Sequence, residues 1–116
     1  MHVTRQEEAR TYESKHHHDT CTLRLQGWDT GPTQTFWTGL SYFFPRGGAD
    51  FEASAVERVY VVLDGEVTIL TEGGEFTLKR LDSCHIPANE RRAVENRGNT
   101  VATMLVIGQY PPGTAR

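Results

Sequence analysis

Histidine is missing from the middle of the chain: its five copies are His2, His16, His17, His18 and His85, with none between residues 19 and 84. A histidine-bound metal in that stretch is therefore excluded. Cysteine is scarce too. Cys21 and Cys84 lie far apart without metal-type spacing, and read as buried thiols in a reducing compartment rather than a disulfide. No apolar run approaches the roughly 20 residues that span a bilayer, and the start, Met-His-Val-Thr-Arg-Gln-Glu-Glu, has no apolar signal region. With a net charge of −3 and no long basic run, nucleic-acid and membrane-surface roles are not expected. Helical periodicity is absent outside Gln6 to Arg10, and there is no internal repeat. These absences predict a soluble, cytoplasmic protein whose 116 residues make one domain.

What remains is strand chemistry. Residues 1–19 form a polar arm, residues 20–110 carry the β pattern, and residues 111–116 are a proline-containing tail. Thr20 to Gln26 alternates polar and apolar residues, as a half-buried strand does. Thr35 to Phe44 is aromatic and β-preferring, and Pro45-Arg-Gly-Gly48 is expected to break it. Val59 to Leu63 and Glu66 to Leu70 flank Asp64-Gly65, which predicts a type I′ hairpin. Glu72-Gly-Gly74 turns into Glu75 to Lys79, and short strands follow at Ser83 to Ile86, Arg92 to Glu95 and Val101 to Ile107. Eight or nine short strands at regular spacing imply an all-β sandwich or barrel.

Three motifs carry a resemblance. Val59 to Ile69 has the apolar strand, acidic residue, Gly65-Glu66 and second strand that end the first cupin motif. Asp82, Ile86-Pro87 and Asn96 match the second motif, with Leu81 in place of its glycine, and Pro45-Arg-Gly-Gly48 resembles the loop before the first. Over residues 38 to 108 the chain resembles the small single-domain cupins. The resemblance implies a double-stranded β-helix, or jelly-roll, and a homodimer in which the arm pairs with a partner subunit. It also implies that His-x-His falls near Phe51 and Ala53, the ligand Glu at Arg58 and the second-motif His at Arg92. None of these side chains is a metal ligand, so no metal and no other cofactor is expected.

The replacement by arginine points to different chemistry. Strand alternation puts Arg58 on a side with Tyr60, and Arg92 with Val94 and Asn96. A one-residue bulge would turn Glu57 inward instead of Arg58. Converging guanidiniums form a planar, permanently charged receptor for carboxylate or phosphate. Trp37 and Tyr42 are candidates to line the cup, and His85 and Tyr60 to move a proton; each also reads as ordinary strand packing or surface. His16, His17, His18, Asp19 and Cys21 are one metal-like cluster, and Asp50, Glu52 and Glu57 a carboxylate one. The expected function is a metal-independent cup for a small anionic, carboxylate-bearing metabolite such as a hydroxylated aromatic or sugar acid. Catalysis there would be an isomerase-, cyclase- or lyase-type proton transfer. The alternatives are a non-catalytic binding or accessory module, and a metal-dependent dioxygenase or lyase with atypical ligands.

Overall fold

The computed structural model describes residues 1–116. Nine strands form: β1 Arg10–Thr11, β2 His17–Gln26, β3 Phe36–Glu52, β4 Arg58–Asp64, β5 Glu66–Thr71, β6 Gly74–Lys79, β7 Ser83–Ile86, β8 Arg92–Glu95 and β9 Ala102–Gln109. The one helical turn is 3-10, Gln6–Glu8. No helix is long and apolar enough to cross a membrane. All pairings are antiparallel, in the order β6-β5-β8-β3-β9-β4-β7, with β2 on β3 and β1 on β2. The result is a nearly closed jelly-roll barrel. Its core gathers the inward rows of several strands around Phe43, Val62, Val67 and Met104, each essentially free of solvent contact. Burying such a side chain stabilises the fold by about 1.5–3 kcal/mol.

Two local expectations need correction. Pro45-Arg46-Gly47-Gly48 bends β3 without ending it. Arg46 takes φ 72°, and Asn96 donates its N–H to the Gly47 carbonyl at 2.9 Å. Before the bend β3 pairs with β9; beyond it, Gly48 to Glu52 pair with β8. The Val94 carbonyl occupies the space where a Cβ on Gly48 would project, so this residue must be glycine.

Asp64-Gly65, in turn, is no hairpin. β4 pairs with β9 and β7, whereas β5 pairs with β6 and β8, so the dipeptide joins two strands that are not paired with each other. Only Gly65, at φ 72°, takes the left-handed region that a type I′ turn needs twice. The hairpin of this region is β5–β6, closed at Thr71↔Gly74.

The N-terminal arm lies on its own barrel. β1 pairs with β2 through Arg10↔Arg24 and Thr11↔Leu23, and the Tyr12 N–H donates to the Thr22 carbonyl at 3.0 Å. β1 thus covers Leu23 and Arg24 of β2.

Candidate functional site

One end of the barrel interior holds a cavity of about 270 Å³, at the small end of ligand pockets. β4 contributes Arg58 and Tyr60, β8 contributes Arg92, and β3 contributes Trp37 and Ser41. Arg92 is 4% exposed, donating from Nε to the Tyr60 hydroxyl at 3.1 Å and from Nη1 to the Glu52 carbonyl at 2.8 Å. Arg58 is held differently. Its guanidinium carbon lies 5.1 Å from the Trp37 ring centroid, and its buried Nε has no acceptor in the protein. Burial pushes the Arg58 pKa down from its ordinary value and the Arg92 charge adds to the fall, against opposition from Tyr60 and Glu52. Neither Arg58 nor Arg92 forms an ion pair with a carboxylate. Two cations at the floor of a cup, one with an orphaned donor, make a receptor for an anion.

A third arginine reaches the cavity that the sequence reading does not single out. Arg24 comes from β2, whose polar row turns inward: Thr22 is buried, and Thr22↔Ser41 and Arg24↔Gly39 face the interior of β3. Leu23 and Leu25 are half-buried on the opposite face. The alternation of β2 was the available signal, but it did not say which row faces in. Tyr12, from the arm, closes this side, its ring edge-on to Trp37 at 6.5 Å. Burial raises the Tyr12 pKa above its ordinary value, against the nearby Arg24 charge.

The other sequence candidates scatter. His85 lies outside the barrel: Cys84 and Ile86 take the inward positions of β7, and His85 pairs across with Val59. Its Nε2 meets Glu57 Oε1 at 2.7 Å, with both side chains more than half exposed. His85 is therefore removed as a proton carrier for the cup, and Glu57 points outward while Arg58 points in. Tyr42 is corrected likewise. It pairs with Cys21 and Thr103 on the outer face, where its hydroxyl accepts from Gln6 Nε2 at 3.1 Å. Of the early aromatics, Trp37 and Phe43 line the cavity, whereas Trp28 stacks on Tyr110 at 3.6 Å away from it. Phe51 is exposed under Arg91, because an irregular register between Ala49 and Glu52 brings those two residues to the cup instead.

Metal donors do not converge. No three His, Cys, Asp or Glu side chains form a ligand group. His18 leans on Asp50 at 3.8 Å, His17 stacks on Phe43, and Glu57 faces away with His85. Of the positions where the resemblance implies ligands, Arg58 and Arg92 line the cup whereas Phe51 and Ala53 do not, and two guanidiniums do not suit a divalent cation. Cys21 and Cys84 are free, half-buried thiols, and burial raises the Cys84 pKa.

Residues 44–108 match the family described as Cupin domain. The chain is 41% identical over 111 residues, 96% of both proteins, to a Mycobacterium tuberculosis protein named β-D-galactosidase Rv1717. Its fold is similar to that of the polyketide cyclase RemF from Streptomyces resistomycificus (TM-score 0.84, 16% identity, 97% of this chain and 82% of the other). It is also similar to a sugar phosphate isomerase of Silicibacter pomeroyi (TM-score 0.72, 23% identity, 81% and 61%). By its barrel, its motifs and these matches, the chain belongs to the cupin family.

Proposed function

We propose that the cup binds one small carboxylate-bearing metabolite of the sugar-acid class, without a metal, and moves a proton on it. The observation that carries this reading is Arg58: a cation at the cavity wall with a buried Nε that nothing in the protein accepts from, beside a second cation, Arg92. A carboxylate bridging the two would accept from that Nε and relieve their repulsion. Held so, it also makes the neighbouring C–H more acidic. A cup carboxylate such as Glu52 would take that proton, and the Tyr60 hydroxyl, which accepts from Arg92 and keeps its own O–H free to donate, would supply one on the other side. The sugar character rests on the named activity of the M. tuberculosis relative. This reading includes a cytoplasmic homodimer.

Calorimetric titration of untagged protein, purified without nickel resin or chelator, tests it. D-galacturonate should bind and D-galactose should bind at least tenfold more weakly, with the difference lost in Arg58→Gln and Arg92→Gln. Equal binding of acid and neutral sugar sinks the anion cup, and one metal per chain by elemental mass spectrometry overturns metal independence. Binding without turnover of any screened sugar acid, unchanged in Tyr60→Phe, would make the chain a non-catalytic module.

A second reading is hydrolysis of a β-galactoside, favoured by the 41% identity and by carboxylates of Glu13, Asp50 and Glu52 around the cavity. Glycoside hydrolysis ordinarily uses such a pair as acid and base or nucleophile. Release of nitrophenol from its β-D-galactopyranoside, lost in Glu52→Gln, would establish this reading over the first.

A further inference from the structure

β2 carries a cation the proposed function does not yet use. The Arg24 guanidinium carbon lies 3.9 Å from the Tyr12 ring centroid and 4.5 Å from that of Trp37. Stacking on both rings fixes the fork. Its Nε faces Asp29 at 3.4 Å, so its charge is already matched, while Nη1 is buried with no acceptor in the protein. β3 and β9 stand between β2 and β4 along the wall, yet the Arg24 and Arg58 guanidiniums both approach Trp37 of β3, which keeps them within about 10 Å of each other, so that one small ligand can reach both.

We propose that Arg24 is a specificity-determining residue forming a second, neutral-acceptor subsite. It would read a hydroxyl or ring oxygen at the end of the ligand opposite its carboxylate. The assignment rests on the carboxylate reading of Arg58 and Arg92 and narrows it. A second anionic group is not called for, because Asp29 already answers the Arg24 charge. A plain fatty acid leaves Nη1 unpaired, which costs affinity in a desolvated site. The cavity of about 270 Å³ restricts the ligand to about one sugar ring. The ligand class is thus a polyhydroxylated monocarboxylate the size of a hexuronic acid. The arm takes part, since Tyr12 covers Arg24 and is fastened to β2 by its N–H to the Thr22 carbonyl at 3.0 Å and by the Thr22 hydroxyl to its own carbonyl.

The test is calorimetric titration of the full chain with D-galacturonate, hexanoate and the dicarboxylate galactarate. Wild-type protein should bind galacturonate at least tenfold more tightly than hexanoate and no more weakly than galactarate. Arg24→Met should lose that tenfold preference with hexanoate affinity unchanged, whereas Arg58→Met should lose both acids. Arg24→Lys, which keeps the charge but not the stacked fork, should behave like Arg24→Met and serves if the latter fails to fold. Undiminished galacturonate preference in the folded Arg24 variants overturns the subsite while leaving the carboxylate anchor standing. Tenfold tighter galactarate binding overturns its neutrality. Failure of wild-type protein to bind any of the three acids removes both readings together.

Discussion

The barrel keeps buried polar groups in two contrasting conditions. At the β3 bend, Asn96 is 3% exposed and fully occupied: its Nδ2 donates to the carbonyls of Phe43 and Thr100 at 2.8 Å, and its Oδ1 accepts from the Gly98 N–H at 3.0 Å. At the cup, Arg58 carries a full charge and a buried Nε with no acceptor. Satisfied polar groups specify a fold, whereas an unsatisfied cation costs stability that only a ligand restores. Asn96 therefore belongs to the architecture and Arg58 to the binding chemistry, although both stand in the same family motifs.

The largest effect should come from breaking the satisfied side. Asn96→Ala strands several backbone groups at once and should cost about 2–4 kcal/mol by denaturant unfolding. A loss near zero would mean the bend holds without it. Arg58→Met should do the opposite in ligand-free protein, neutral to about 2 kcal/mol more stable, because an apolar chain replaces an unpaired buried charge. A clear drop in its denaturation midpoint would show that the protein satisfies Arg58 after all.

A smaller effect concerns Tyr12, whose pKa burial raises above 10.0. The folded state then holds that proton longer than the unfolded chain. Stability should be indifferent to this group below pH 10 and fall as pH rises from there through the raised value. Tyr12→Phe should remove that alkaline slope in melting curves taken across the range, and an unchanged slope would assign it elsewhere. The smallest change is expected at the surface. Arg97 binds Glu75 through Nη1 and Nη2 at 2.9 and 3.1 Å and Glu95 through Nε at 2.6 Å, all in solvent. Arg97→Ala should shift the melting temperature less than any substitution above, and by still less in high salt.

Much of this was legible in residue order. Strand alternation paired Arg58 with Tyr60 and Arg92 with Val94, and these four do line one cavity. The lack of histidine between residues 19 and 84 was equally plain. His85 was misplaced because a four-residue strand shows alternation without showing which side is in; its neighbours Cys84 and Ile86 take the interior. Asp64-Gly65 misled for a different reason. The glycine does adopt the left-handed region, but a local turn signal does not encode whether the chain folds back on its neighbour or crosses to pair elsewhere in the barrel.

Residue order by itself determined the succession of strands, through side-chain type and a period of two, and its motifs carried the resemblance that implied the jelly-roll and the arginines at the ligand positions. Tertiary structure alone decided that β2 turns its polar row inward, bringing Arg24 under Tyr12 beside Trp37, and that His85 stays outside. A period of two is symmetric about the sheet, and only closure of the barrel chooses which face becomes the interior.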